Sequence, residues 1–141
     1  MMCTGASRPR KVEMEQARKK ILSDALSGRD EILFALLYGT AAEGFRFRDL
    51  DIGIFVNRKI IPAERELAYA FALSDELAST SSCPVDVRVI NDAPLLFRRS
   101  VSCGTPLVVN DEEVFTTFLT RTWSEFLDFQ PVAMKYLKEL R

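Results

Sequence analysis

The sequence predicts an α/β (α+β) fold, a small mixed β-sheet with helices packed on it. Strand-length segments, either alternating or continuously apolar, are interspersed with segments of helical period. They come in the order helix, strand, strand, helix, strand, helix, strand, helix. With 141 residues, 48% of them hydrophobic, the chain is long enough to fill one core and is sized for one domain.

The first ten residues, with Gly5, Ser7 and Pro9, read as a disordered leader, and residues 11–141 as a single domain with a C-terminal helical extension. From Lys11 to Ser27, Val12, Ala17, Ile21, Leu22, Ala25 and Leu26 recur at helical spacing, and Gly28 suits the position after the helix end. Ile32 to Tyr38 is a continuous apolar run closed by Gly39, a strand buried on both faces. A polar connection with Gly39 and Gly44 leads to Asp49–Val56, where Leu50, Ile52, Ile54 and Val56 alternate with Asp49, Asp51 and Gly53. Pro62 starts a helix over Ala63–Ser79 whose one side carries Leu67, Ala70, Phe71, Ser74 and Leu77.

Val85–Ile90 is the next strand, with Val85, Val87 and Val89 on one face and Asp86 and Arg88 on the other. Asn91 and Asp92 are placed to cap a helix over Ala93–Ser102, and Thr105–Val109 is a short apolar strand. Asp111, Glu112 and Glu113 open a last helix, their charges favourable at its N-terminus. Phe115, Phe118, Trp123 and Phe126 run along it as an aromatic stripe, read first as core packing and second as a partner surface. Pro131 interrupts this pattern, which resumes at Val132.

The chain has no histidine, which excludes a Ser-His-Asp or Cys-His hydrolase, a His-ligated zinc site and a histidine general base. Acid–base or metal chemistry therefore falls to carboxylates. A net charge of -1, from 19 Lys and Arg against 20 Asp and Glu, argues against a direct nucleic-acid binder. Cys3, Cys83 and Cys103 form neither a CxxC pair nor a disulfide framework, are expected to be buried, and fit a reducing cytoplasm. The basic N-terminus lacks the apolar core of a secretory signal, and no run approaches the ~20 apolar residues of a membrane span.

On a strand, residues two apart share a face, so Asp49 and Asp51 set two carboxylates roughly 6–7 Å apart at the backbone. Such like charges repel unless a cation sits between them, and hard oxygen donors favour Mg²⁺ or Mn²⁺. If Val85–Ile90 pairs beside this strand, Asp86 joins them, a patch suited to two-metal phosphoryl or nucleotidyl transfer. Gly39-Thr40, directly after a buried strand, offers small residues and free N–H groups to a phosphate. Taken alone, each feature is equally a turn glycine, a helix cap or a solvated aspartate.

The stretch Leu37-Tyr38-Gly39-Thr40-Ala41-Ala42-Glu43-Gly44, followed by Asp49-Leu50-Asp51-Ile52-Gly53-Ile54, resembles the signature of the minimal nucleotidyltransferases of the DNA polymerase beta superfamily. Asp86 matches the position of that family's third carboxylate. From Asn91 to Arg99, Gly104 to Val109 and Phe126 to Pro131 the chain is similar to MntA-type antitoxins. The resemblance implies a polymerase-beta-like fold and transfer of AMP from ATP onto a tyrosine of a HEPN-domain ribonuclease toxin, the partner protein. By the same resemblance, Asp49, Asp51 and Asp86 are the catalytic and metal-binding residues, for Mg²⁺ or Mn²⁺, and Gly39, Thr40, Gly44 and Arg48 bind the nucleotide.

Two other readings stay open. If the match is taken without a gap, Asp51 and Gly53 fall in the two ligand positions, and the chain is a degenerate form that blocks its partner without chemistry. A small-molecule nucleotidyltransferase is the third, though this length leaves little room for a further substrate domain. Homo-oligomer formation is left open as well.

Overall fold

The apolar run Ile32–Tyr38 forms β1, and the remaining strands assemble on both of its sides. The structure, a computed structural model, describes residues 7–39 and 49–140. Helix α1 spans Ser7–Leu26, β1 Ile32–Tyr38 and β2 Leu50–Val56. A 3-10 turn at Ala63–Arg65 then leads into α2, Glu66–Ser81, followed by β3, Val85–Val89, and α3, Leu95–Ser102. β4 is Thr105–Val109 and α4 is Glu112–Glu139. The strand order is β3-β2-β1-β4. β1 pairs antiparallel with β2 and β4, and β2 pairs parallel with β3, so the sheet is mixed. A parallel pair needs a crossover, which α2 supplies.

Each face of the sheet carries its own core. Ala35, Leu37, Ile52 and Ile54 pack under α1 and α2 with Leu22, Leu26, Leu73 and Leu77. On the opposite face Phe34 and Leu36 pack with Ile90, Val101 and Phe118 beneath α3 and α4. Phe34 stacks on Phe55 at 5.1 Å and meets Phe115 and Phe118 at 4.9 and 5.1 Å. Burial of a side chain of this size stabilises by roughly 1.5–3 kcal/mol. Two-sided burial explains why β1 has no alternating pattern.

Both edges of the sheet are held by a serine from the neighbouring helix. Ser74 on α2 accepts the Val87 N–H at 2.9 Å, and Ser23 on α1 donates to the Leu107 carbonyl.

Several elements differ from the sequence reading. α1 begins at Ser7, inside the segment expected to be a disordered leader; residues 1–6 lie outside the described residues. α2 buries Ala70, Leu73, Leu77 and Ser81, leaving Leu67 and Phe71 exposed, because the stripe offset by one position is the one facing the sheet. Asn91 does not cap α3. Its side chain accepts the Val56 N–H and donates to the Val56 carbonyl, both at 2.9 Å, continuing the ladder beyond the end of β3. Asp92 pairs with Arg58 at 2.8 Å, and Pro94 occupies the N-cap position.

Asp111 does cap α4, accepting the Val114 N–H at 3.1 Å. Pro131 does not break that helix, which continues through it to Glu139. The carbonyl that loses its donor belongs to Leu127, a residue exposed to solvent. The aromatic stripe divides in two. Phe115 and Phe118 join the core, whereas Trp123 and Phe126 clamp the Arg99 guanidinium at 5.4 and 4.7 Å. Cys103 is exposed at the α3 C-cap and Cys83 is half-buried, against the expectation of ordinary burial; Cys3 lies outside the described residues.

Candidate active site

Three adjacent strands place Tyr38, Asp51 and Asp86 in one row. Asp51 is the register partner of Tyr38 in β1 and of Asp86 in β3. Register partners share a face of the sheet. This is the α3 face, where Gly53, two residues after Asp51, passes beneath that helix. A Cβ on Gly53 would stand 2.8 Å from Val101 Cγ1, so the Asp-x-Gly spacing lets α3 lie close to the strand beside the carboxylates.

Asp51 and Asp86 are half-buried, and Asp49 is exposed at the entrance to β2. Burial holds the Asp51 carboxyl above its usual range, and the charges of Asp86 and Asp49 push in the same direction against Arg88. The Tyr38 hydroxyl is pushed up to about 12, first by burial and then by Asp51. Arg88 pairs with Asp86 at 3.2 Å and lies over the Phe97 ring at 5.9 Å, while Phe97 meets Tyr38 edge-on at 5.6 Å. Arg88 is therefore the counter-charge of the row. Its hydrogen bond to Asp86, followed by the Asp86 charge, strengthens its hold on its proton.

Gly39 closes this row at the end of β1. Its φ of +80° lies in the left-handed region, and a Cβ there would stand 3.0 Å from Asp51 Oδ2. Gly39→Ala is expected to lower stability by roughly 1–2 kcal/mol through the left-handed backbone alone. Because the added methyl also crowds Asp51, binding of an ATP analogue should weaken by about tenfold, or ~1.4 kcal/mol. Calorimetric titration checks this, and parent-like affinity would remove Gly39 from the site.

The sequence-predicted residues are thus partly assembled. Asp51 and Asp86 come together beside Gly39, and Asp49 lies one strand period from Asp51. Thr40, Gly44 and Arg48, with Glu43, lie outside the described residues. Among the described residues, no three Asp, Glu, Cys or His side chains are grouped so that they could hold a metal ion, so Asp49 does not join Asp51 and Asp86 in such a cluster. Asp51 and Asp86, partners across two neighbouring strands, nevertheless fit Mg²⁺, which commonly takes one or two carboxylates plus substrate phosphates and water. Sequence reasoning gave no role to Tyr38, Arg88 or Phe97. Arg88 was findable, since it shares its strand face with Asp86, two residues away. A separate cleft of about 710 Å³, bounded by Phe55, Arg98 and Arg121, contains none of the predicted site residues.

Residues 20–113, which contain the whole row, match the sequence model of the polymerase beta nucleotidyltransferases. The chain belongs to this family. No curated protein matches it in sequence. Its fold is shared by solved toxin–antitoxin structures. A crystal structure of a toxin–antitoxin with AMP-PNP contains a chain that superposes with TM-score 0.65 at 17% identity, covering 87% of this chain and 97% of that one. A chain of the MntA-HepT toxin–antitoxin superposes with TM-score 0.59 at 17% identity, covering 92% and 97%. A third structure, tri-AMPylated Shewanella oneidensis HEPN toxin in complex with MNT antitoxin, gives TM-score 0.60 at 17% identity, covering 92% and 98%. In this member of the nucleotidyltransferase family Asp51 and Asp86 lie on neighbouring strands. Among the described residues, no helix is long and apolar enough to cross a membrane.

Proposed function

We propose that this nucleotidyltransferase is a cytoplasmic antitoxin that transfers AMP from ATP to a tyrosine of a cognate HEPN toxin, with Mg²⁺ or Mn²⁺ bound by Asp49, Asp51 and Asp86. The observation that carries this reading is the alignment of Asp51 with Asp86 across β2 and β3, beside the Gly39 turn. Family membership and the likeness to antitoxin chains solved with AMP-PNP or AMPylated toxin support it.

In this reading Gly39, Thr40, Gly44 and Arg48 hold the triphosphate. The metal, when bound, screens phosphate charge and stabilises the attacking and leaving oxygens. The phenol oxygen of the toxin tyrosine bonds to the α-phosphorus of ATP as the bond to the bridging oxygen breaks and pyrophosphate leaves. Asp86, on the edge strand, is placed to take the phenol proton, a task open to carboxylates where histidine is absent. Before that, Asp86 must be released from Arg88.

One observation favours a second reading, blockade of the toxin without chemistry: Asp86 is already neutralised by Arg88. Incubation with labelled ATP, Mg²⁺ and the toxin encoded beside this chain separates the two. Label on a toxin tyrosine, lost in Asp86→Asn, is the expected result. Protection of RNA without any label, unchanged by that substitution, selects blockade.

A further inference from the structure

Among the described residues Arg88 is the counter-charge of the Asp51–Asp86 pair, yet it is loosely held. Its bond to Asp86, 3.2 Å long, runs through Nε, with 60% of the Arg88 side chain and 49% of the Asp86 side chain exposed. Exposed ion pairs of this kind contribute little, because water and salt screen them. The terminal guanidinium nitrogens form the fork that binds a phosphate or carboxylate through two parallel hydrogen bonds. They make no hydrogen bond to another described residue. A second support is independent of Asp86. The guanidinium lies 5.9 Å from the centre of the Phe97 ring, and Tyr38 braces that ring edge-on at 5.6 Å. Arg88 is therefore able to change its anionic partner while it stays on the ring.

The row has a use for such a change. While Arg88 holds Asp86, a positive charge already stands where a divalent cation would bind, and like charges repel. On the other side of the row, Gly39-Thr40-Ala41-Ala42-Glu43-Gly44 contains an acidic residue and no lysine or arginine. Small residues there offer N–H donors to a phosphate but no positive side chain. Neighbouring strands lie about 4.8 Å apart, so β3 stands about 10 Å from β1, with β2 between them. An anion seated over β2 thus meets the turn on one side and Arg88 on the other.

Resting on the AMP-transfer reading, we propose that Arg88 is a nucleotide-binding residue that exchanges partners. It holds Asp86 when no nucleotide is bound and a phosphate of ATP when one is, which frees Asp86 for the metal. No covalent bond changes in this step; a guanidinium–carboxylate contact is replaced by a guanidinium–phosphate contact. Metal and nucleotide consequently bind as a unit, and the metal alone is held weakly.

The test compares the full chain with Arg88→Gln, which removes the charge, and Arg88→Lys, which keeps it. The readouts are Mn²⁺ binding without nucleotide by electron paramagnetic resonance, AMP-PNP binding with Mn²⁺ by calorimetry, thermal melting, and AMP transfer to the toxin. In Arg88→Gln, Mn²⁺ alone should bind about threefold more tightly, the scale of an exposed ion pair. AMP-PNP should bind the same variant about tenfold more weakly, the scale of a charge-assisted hydrogen bond, with melting as in the parent. Arg88→Lys should keep Mn²⁺ affinity at the parent level and recover most of the AMP-PNP affinity. Opposite shifts for the two ligands are what a merely structural ion pair would not give. Unchanged or tighter AMP-PNP binding in Arg88→Gln overturns the exchange and leaves Arg88 a standing block on Asp86. Weaker AMP-PNP binding without tighter Mn²⁺ binding overturns it as well, because Arg88 then meets phosphate without releasing a carboxylate. So does a loss that follows melting. The binding measurements need no toxin. If the parent binds AMP-PNP but labels no tyrosine, the transfer reading fails and the exchange is judged on binding alone; a parent that binds no AMP-PNP overturns the exchange.

Discussion

Asp51→Asn is expected to reduce AMP transfer by at least about 10²–10³-fold, the scale on which one preorganised active-site group acts, without destabilising the metal-free protein. Asp51 is the central member of the Tyr38–Asp51–Asp86 row and the one whose ionisation the fold opposes, by burial and by its two acidic neighbours. Asparagine keeps the shape and removes the charge. In the absence of metal this relieves the repulsion, so the melting temperature should stay level or rise. With Mg²⁺ and ATP present the same change removes an oxygen anion where a cation is needed. The two measurements should therefore move in opposite directions. A variant that transfers AMP at the parent rate would show that Asp51 is not part of the reacting site. A variant that loses both activity and stability would make it a structural aspartate.

Gly104→Ala carries the largest expected effect on folding. A Cβ at that position would stand 2.2 Å from the Leu37 carbonyl oxygen and 3.1 Å from Tyr38 Cα, both backbone atoms of the central strand. No rotamer change relieves such a clash, so β4 must separate from β1 at the Leu37–Thr105 pair. Overpacking typically costs about 1–3 kcal/mol, and an unyielding backbone contact belongs at or above the top of that range. Against a total stability of roughly 5–15 kcal/mol this is a large fraction. Urea unfolding should show the midpoint falling at near-constant slope. Because Leu37 and Tyr38 lead directly to Gly39, nucleotide affinity should fall as well. A midpoint within error of the parent would mean that the turn at Cys103–Gly104 yields more easily than its packing indicates.

The strands were largely legible in the sequence because their signals are local. Alternation around Leu50–Val56 and the unbroken run Ile32–Tyr38 mark their strands to within a residue of where they lie. What stayed hidden depended on neighbours distant in the chain. α2 carries more apolar positions than one buried stripe needs, and only its seating on β3 decides that Leu73 is covered and Phe71 is not. Pro131 reads as a break locally, yet the carbonyl it leaves without a donor belongs to exposed Leu127 and the helix runs on. Asn91 reads as a cap because its type favours one, whereas the end of β2 offered it a pair of backbone partners.

The candidate site divides in the same way. Asp49, Asp51 and Asp86 were identifiable by residue type and spacing. The pairing of Asp51 with Asp86, and the presence of Tyr38 and Arg88 beside them, follow from the order β3-β2-β1, which the linear pattern does not encode.

The two serines at the sheet edges bear on the chain's behaviour before it is fully folded. Val85-Asp86-Val87-Arg88-Val89, apolar on alternate positions, and Thr105-Pro106-Leu107-Val108-Val109, apolar without a break from Leu107, are short and β-prone, the composition that seeds cross-β aggregation when an edge is bare. In the native fold Ser74 and Ser23 each occupy one backbone group of these strands. During synthesis that protection is missing, and Pro106 on one strand with Asp86 and Arg88 on the other are the gatekeepers that remain. Asp86 and Arg88 thus answer to two selections, chemistry in the finished protein and solubility in the nascent one. Neutralising both together should therefore cost yield of soluble chain as well as activity.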